Sequence, residues 1–241
     1  MISFFRNIRQ NLLSEGKTVK YLKYAMGEIV LVVIGILIAL QINNWNEERK
    51  VRDFEFVLLK ELRTELAFNK NDLDQTLIIL NNSIKSNKII ASVFEDHQPY
   101  QDTLDLHFAR LYSFSFFIAN NTTYDKLKNT GIDIIQNEEI RNRISSLYTY
   151  EFSGLEKIES LYMQEHYVNY LKPIFMNEFI TFDFPYSLKI RDYESFMRNA
   201  KIKQVINFTI VNLGIVMRTQ QNLRNEMEEI IGMIDEELKK E

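Results

Sequence analysis

Residues 27–45 read GEIVLVVIGILIALQINNW, and residues 29–40 within them form an unbroken run of twelve apolar side chains. As a helix these twelve residues cover about 18 Å, which is shorter than a hydrocarbon core of about 30 Å. Extending the helix from Tyr24 to Trp45 gives about 33 Å, with Glu28 as its only charged residue. This stretch therefore predicts a single transmembrane helix over residues 24–46.

Residues on both sides of the run are typical of membrane–water interfaces. Lys20 and Lys23 precede it, and long basic side chains reach from the end of a span to the headgroups. Tyr21, Tyr24 and Trp45 lie where the aromatic belts of spanning helices lie. We expect these five residues to anchor the helix at its two interfaces.

Small and polar residues in the predicted span indicate contacts with other helices. Gly35 and Ala39 are four residues apart, and Gly27 lies two turns earlier on a nearby face. Small residues at this spacing allow close packing in lipid, so these three are candidate helix-pairing positions. Glu28 and Gln41 are candidates for polar contacts within the membrane. Alternatively, Glu28 reaches headgroup water and Gln41 ends the span at the interface.

Two other structures fit the apolar run less well. A core helix of a soluble bundle is the first alternative, and it fits less well because this run is apolar on every side. A cleavable signal peptide needs small residues at both the −1 and −3 positions, and Leu37 occupies −3 when Ala39 is at −1. We therefore expect an uncleaved signal anchor.

The charge distribution predicts the orientation of this anchor. Residues 1–26 hold five basic and one acidic side chain, a net charge of +4, and the other residues hold 24 basic and 32 acidic side chains, a net charge of −8. The positive end is expected in the cytoplasm. The prediction is a basic cytoplasmic segment over 1–23, a span of the inner (cytoplasmic) membrane over 24–46, and an extracytoplasmic domain over 47–241 that is periplasmic in a Gram-negative cell.

Composition favours long helices in this domain. The chain has 7 Gly and 3 Pro among 241 residues, too few turn formers for an all-β fold with many hairpins. The absence of Cys excludes disulfides, thiolate metal sites and Cys nucleophiles. The predicted fold is all-α, with an N-terminal single-pass transmembrane helix that continues into an elongated antiparallel helical bundle.

Hydrophobic spacing indicates which helix faces pack together. Leucines recur every seven residues, at Leu59, Leu66, Leu73 and Leu80. The positions three residues later hold Leu62, Asn69, Thr76 and Ser83. A coiled-coil dimer needs both positions to be apolar, so this pattern favours one face of a bundle.

Two more helices are predicted in the second half of the chain. After Asn137, which is placed to cap a long helix, a 3-4 pattern predicts a core face made of Ile144, Leu147, Glu151, Gly154, Ile158, Leu161, Glu165 and Val168. Residues 181–192, TFDFPYSLKIRD, are the most loop-like stretch that follows. The last helix, from about residue 193 to 239, carries its apolar stripe at Ile206, Ile210, Leu213, Met217, Met227, Ile231, Ile234 and Leu238.

The stretch from Phe4 to Lys50, FFRNIRQNLLSEGKTVKYLKYAMGEIVLVVIGILIALQINNWNEERK, resembles the opening of a family of uncharacterised Bacteroidota membrane proteins, a domain of unknown function. Residues 27–47 are the most specific part of this resemblance, and TTYDKLKNTG at residues 122–131 is a weaker echo. The resemblance implies a short N-terminal membrane anchor followed by a helical body. It implies no activity and no catalytic residues.

No residue pattern in the chain is typical of a known catalytic or metal site. The histidines His97, His107 and His166 lie in no zinc motif, and none has a Glu three residues before it. There is no phosphate-binding glycine loop and no nucleophile elbow. Asp102, Asp105 and His107 are close in sequence, but a capped helix start explains them better than a metal site. We predict no catalytic residue, no metal and no cofactor.

These observations favour a non-enzymatic protein-interaction or structural component of the cell envelope. Its expected partners are the lipid bilayer and either further copies of the chain or another envelope protein. The acidic body argues against nucleic acid, and the sequence identifies no small-molecule ligand. One alternative is a periplasmic ligand-binding or sensing bundle that acts through a membrane partner, since bundles bind small molecules between their helices. An enzyme of unrecognised type is the other.

We expect Gly35→Ile to weaken self-association of the chain in the membrane, because the branched side chain would hold two helices apart. Crosslinking of the intact protein in membranes measures the dimer yield. Leu37→Ile, which conserves side-chain volume on a different helix face, is the matched control. An unchanged dimer yield in Gly35→Ile would contradict the helix-pairing role.

Overall fold

The computed structural model describes residues 18–111, 113–183 and 185–240. Its α-helices are α1 (Thr18–Asp96), α2 (Leu104–Arg110), α3 (Thr122–Thr130), α4 (Glu138–Ser146), α5 (Phe152–Glu159), α6 (Lys172–Glu178), α7 (Tyr193–Arg198) and α8 (Ala200–Leu238). A 3-10 turn lies at Ile132–Ile134. A two-stranded sheet is formed by β1 (Phe179–Asp183) and β2 (Ser187–Ile190). The prediction of an all-α fold is confirmed, with this small sheet as an addition.

Three π-helical turns join α4, α5 and α6 into one helix over residues 138–178, which we call the π-interrupted helix. The turns are Leu147–Glu151, Ser160–Gln164 and Tyr167–Leu171. A π-helical turn accommodates an extra residue without ending the helix, and such turns occur frequently at functional sites.

The chain divides into two compact units, residues 1–55 and 56–241. In the described part of the first unit, every large apolar side chain from residue 29 to residue 42 is 47–65% exposed. Among the described residues, α1 is the one helix that is long and apolar enough to cross a membrane, as judged by length and composition. The boundaries predicted for the cytoplasmic segment, the span and the outer domain stay predictions.

In the second unit, α1 and α8 pack antiparallel. Asp74 forms an ion pair with Arg224 at 3.0 Å, and Glu95 forms one with Lys203 at 2.8 Å. The predicted leucine face of α1 is confirmed, because all its members have no exposed surface: Leu59, Leu66, Leu73 and Leu80. The predicted stripe of α8 is also confirmed, since each of its eight residues is buried or half-buried.

The π-interrupted helix departs from its predicted register after Leu147. Ile144 and Leu147 are fully buried as predicted, but Leu161 and Val168 are each 53% exposed. The later buried positions include Leu155, Glu159, Met163 and His166, which lie one or two residues beyond those predicted. Each extra residue in a π-helical turn rotates the following side chains by about 100° around the helix axis, so the constant 3-4 pattern was wrong here.

The loop predicted at residues 181–192 is instead largely an antiparallel hairpin. Phe182 lies opposite Leu188 and Asp183 opposite Ser187, and the Tyr186 N–H donates to the Asp183 carbonyl at 2.7 Å. Leu188 has no exposed surface and belongs to an aromatic-rich core cluster. The loop prediction was wrong because this burial is a tertiary contact, which local composition does not reveal.

Phe196 lies at the centre of that aromatic core and has no exposed surface. Its ring centroid is 5.4 Å from that of Phe94, 5.5 Å from Phe108 and 5.9 Å from Phe179. We expect Phe196→Ala to lower the free energy of unfolding by about 3–5 kcal/mol through cavity formation. The control Tyr186→Ala, at a side chain that is 69% exposed, should stay within about 0.5 kcal/mol of the wild type. Denaturant titration of the full chain in detergent compares the two variants with the wild type. Similar midpoints for both variants would contradict the central place of Phe196 in the core.

Candidate functional site

Residues 113–121 connect α2 to α3 without regular secondary structure. Buried backbone N–H and C=O groups need hydrogen-bond partners, and a segment outside helix and sheet cannot supply them from a ladder of its own. Six polar side chains of α1 lie buried in the second unit with at most 5% of each exposed, and four of them connect to backbone groups of residues 110–124 directly or through other side chains. We call this set the polar ladder, and its members are Glu65, Asn69, Thr76 and Ser83.

Three members of the polar ladder bind backbone groups of residues 110–124 directly, and two of these are Ser83 and Asn69. The Ser83 hydroxyl donates to the Arg110 carbonyl at 2.9 Å. The Asn69 side-chain amide donates to the Asn120 carbonyl at 2.8 Å, and its oxygen accepts from the Asn120 N–H, also at 2.8 Å. Ser83 thus contacts Arg110, just before the segment, whereas the earlier residue Asn69 contacts Asn120, near its end. The segment therefore runs antiparallel to α1.

Glu65 caps the beginning of α3 from another helix. Its carboxylate accepts from the N–H groups of Thr123 at 2.5 Å and Tyr124 at 3.4 Å, while Asn121 at the N-cap position makes no side-chain cap. A carboxylate is stabilised at a helix N-terminus by unpaired N–H groups and by the helix dipole. Glu65 also accepts from the Tyr148 hydroxyl at 2.6 Å, and burial together with this carboxylate raises the pKa of Tyr148.

Thr76 begins a buried chain of hydrogen bonds that ends on the segment. Its hydroxyl lies 3.0 Å from the Gln220 side-chain oxygen, and the Gln220 amide donates to the Glu159 carboxylate at 2.7 Å. Glu159 also accepts from the backbone N–H of Phe117 at 3.2 Å. The chain thus connects α1, α8 and the π-interrupted helix to the middle of residues 113–121.

Glu159 is a buried acid without a cationic partner in the described part of the chain. It is 2% exposed, and no Lys, Arg or His forms an ion pair with it there. Burial raises the pKa of Glu159 to about 7, while the hydrogen bonds from Gln220 and Phe117 act in the opposite direction and the Glu156 charge adds to the rise. The group therefore titrates near neutral pH.

Four aromatic side chains that line the same cavity as Glu159 pack against one another. The rings of Tyr124 and Tyr148 are stacked with centroids 4.3 Å apart. Phe152 packs edge-on against Tyr148 at 4.9 Å and lies 5.4 Å from Phe117. Such contacts hold the rings in defined orientations, so this wall is preorganised.

These groups line a cleft of about 630 Å³ beside the segment, which we call the aromatic cleft. Its charged lining residues are Asp125, Lys128, Glu156 and Glu159. Its aromatic and apolar lining comes from Phe116, Phe117, Ile118, Ala119, Tyr124, Tyr148 and Phe152. Clefts of this size that combine an apolar wall with a few polar groups are typical of small-ligand sites.

A second groove, of about 540 Å³, lies beside α8 at His166. The Thr209 hydroxyl donates its proton to the Val205 carbonyl at 2.8 Å. His166 Nε2, which lies 2.7 Å from the same hydroxyl oxygen, is therefore assigned as the donor to it. His166 Nδ1 and Asn212 Oδ1 are buried and have no hydrogen-bond partner among the described residues. Burial lowers the pKa of His166, so the ring is neutral at pH 7.

The acids and the histidine at the start of α2 do not form a common site. Asp105 accepts from the Tyr100 hydroxyl at 2.7 Å and pairs with Lys189 at 3.0 Å. His107 instead contacts the Ser86 hydroxyl through Nδ1 at 3.1 Å. Thr103, at the N-cap position of α2, makes no side-chain cap hydrogen bond, so the capped helix start expected from the sequence is not formed.

The site residues predicted from sequence all belong to the first unit, and none of them lines the aromatic cleft. Gly27, Gly35, Ala39, Gln41, Lys23 and Trp45 are exposed and Glu28 is half-buried. A Cβ added at Gly27 or Gly35 would meet no atom within 4 Å, so both positions are open to a neighbouring helix. The side chains of Lys20, Tyr21 and Tyr24 lie outside the described part. The roles of all ten residues stay predictions.

Sequence reasoning missed Glu65, Tyr148 and Glu159. Glu65 immediately precedes Leu66 of the leucine face. An acid beside an apolar heptad position is a signal that could have indicated the burial of Glu65. Glu159 follows Ile158, which the constant register assigned to the core. Its burial depends on the π-helical turn Leu147–Glu151, for which the sequence carries no simple marker.

Comparison with known proteins gives one match. The model of a family of unknown function (DUF6090) matches residues 28–164, more than half of the chain. The whole lining of the aromatic cleft lies within this range, whereas His166 and α8 lie outside it. No curated protein and no solved structure matches the chain.

The raised pKa of Glu159 predicts a pH-dependent stability. The folded chain favours the protonated acid. Its contribution to the free energy of unfolding is therefore fully present below about pH 4.5 and is lost as the pH rises to about 7. We expect the free energy of unfolding of the wild type to fall by about 3 kcal/mol over this window relative to Glu159→Gln, because the glutamine amide is neutral throughout. Thermal melting of the full chain in detergent at pH 5 and pH 8 measures the difference. Glu165→Gln, at an exposed acid of the same helix that does not line the cleft, is the control. Parallel pH profiles for Glu159→Gln and wild type would contradict the prediction.

Proposed function

The chain belongs to the family of unknown function DUF6090, and we propose that it is a single-pass membrane protein whose helical body binds other proteins in the cell envelope. One observation supports this most strongly. The apolar side chains of residues 29–42 are exposed on every side of α1, which water disfavours and lipid accepts. The Bacteroidota source and the family-wide anchor implied by the sequence resemblance are part of the proposal.

The proposed orientation follows from charge. Residues 1–23 are cytoplasmic, residues 24–46 span the inner membrane, and residues 47–241 lie outside the cytoplasm. The +4 charge before the span supports this direction. The anchor brings the body close to membrane partners, including further copies of the chain that pair through Gly27, Gly35 and Ala39.

Exposed apolar side chains on the body support protein binding over catalysis. On the outer face of the π-interrupted helix, Tyr150 is 74% exposed and both Leu161 and Val168 are 53% exposed. Ile118 on the segment beside the aromatic cleft is 80% exposed. Large apolar groups at such exposure are enriched where proteins meet a partner.

A second candidate function is ligand binding or sensing through a membrane partner. The observation that favours it is the aromatic cleft, in which a buried acid lies among preorganised rings. A ligand in this cleft would contact the 113–121 segment directly through Phe117. Its occupancy could then alter the surface that this segment presents to a partner.

Topology is the first test of the proposal. The chain contains no Cys, so single cysteines can be placed at Ser14 and at Asp133, whose side chain is 94% exposed. In intact spheroplasts, a membrane-impermeant maleimide should label position 133 and leave position 14 unlabelled until lysis. Labelling at 14 alone would invert the orientation. Release of the protein by carbonate would overturn the anchor itself.

A further inference from the structure

The aromatic cleft contains an unbalanced negative charge when Glu159 is ionised. Its carboxylate accepts from two neutral donors, the Gln220 amide and the Phe117 N–H, whereas a carboxylate offers about four acceptor positions. A buried charge without a partner of opposite sign is unfavourable. A bound proton or a bound cation relieves this, and Glu159 lines the aromatic cleft.

The remaining lining charges favour the same sign of ligand. Asp125 and Glu156 add two acidic groups to Glu159, and Lys128 is the one basic residue in the cleft lining. The four groups sum to −2 when all are ionised. The cleft therefore attracts cations and disfavours anions.

The aromatic wall selects an organic cation over a bare metal ion. The faces of Tyr and Phe rings attract ammonium groups and also pack against apolar or aromatic carbon. Tyr124, Tyr148 and Phe152 provide such rings next to the acid. Among the described residues, no group of three His, Asp or Glu is arranged to hold a metal ion.

We propose that the aromatic cleft binds an organic ammonium ion, with the amine on the Glu159 carboxylate and an apolar or aromatic body against Phe117, Tyr148 and Phe152. This inference rests on the ligand-binding candidate above and names its ligand class. The volume of about 630 Å³ suits a ligand of one or two rings or a short chain. Contact with Phe117 connects the ligand to the exposed 113–121 segment.

Binding should depend on pH because the ammonium pairs with ionised Glu159. The other charged or titratable groups in the cleft are Asp125, Lys128, Glu156 and the two tyrosines Tyr124 and Tyr148. Since Glu159 titrates near 7, amine affinity should rise about tenfold from pH 6 to pH 8.

The test uses the full chain in phosphatidylcholine nanodiscs, with empty nanodiscs as the blank. Isothermal titration compares tryptamine with tryptophol and indole-3-acetate, which have the same ring system with a hydroxyl or a carboxylate in place of the amine. We expect tryptamine to bind at least tenfold more tightly than either analogue at pH 8. Equal affinities for the three, or no binding of tryptamine at millimolar concentration, would overturn the proposal.

Two variants assign the effect to the buried acid. Glu159→Gln should weaken tryptamine binding at least tenfold at pH 8 and abolish its pH dependence. Glu165→Gln, at an exposed acid of the same helix that does not line the cleft, should change affinity less than threefold. Unchanged binding in Glu159→Gln would overturn the role of Glu159. The comparison of amine, alcohol and acid uses the wild type, so it decides the ligand class even if a variant does not fold.

The outcome is separable from that of the proposed membrane function. Maleimide labelling reports orientation whether or not the cleft binds an amine. If labelling supports the anchor and tryptamine does not bind, the ligand class is wrong and the protein-binding proposal stands. If tryptamine binds and labelling fails, the cleft assignment stands without the proposed topology.

Discussion

Hydrogen bonding of an irregular segment within a helical bundle is the constraint on which the rest of the second unit depends. Residues 113–121 have no helix or sheet ladder of their own, so their neighbours must supply partners. The polar ladder does this from α1, at positions that a simple bundle would fill with leucine. Asn69 and Glu65 each satisfy two backbone groups, which holds the segment and the start of α3 against α1.

The same constraint creates the candidate site. Thr76 reaches the segment only through Gln220 and Glu159, which places a carboxylate in the interior with neutral donors alone. An acid in that position has a raised pKa and an unfulfilled preference for a cation. The irregular path of the segment also leaves space between Phe117 and the π-interrupted helix. Structural support and a chemically distinctive cleft therefore have one origin.

Sequence periodicity predicted the helices well and the register of one helix poorly. The leucines of α1 are buried and the stripe of α8 is buried or half-buried as their spacing predicts, because both lie on uninterrupted α-helices. The π-interrupted helix contains the same kinds of residue, but its extra residues move Glu159 and His166 inward and Leu161 outward. A π-helical turn is stabilised by the packing of the whole helix, so a local 3.6-residue pattern does not anticipate it.

The sequence by itself determined the all-α class, the long apolar helix near the N-terminus and the faces of α1 and α8 that pack. Composition and periodicity carry these features because burying apolar side chains depends mainly on their spacing along a helix. Only the tertiary structure decided that Glu65, Asn69 and Thr76 are interior hydrogen-bonding groups and that Glu159 lines a cleft. Their partners lie between 42 and 144 residues away in the chain, and hydrogen bonds over such distances leave no local pattern.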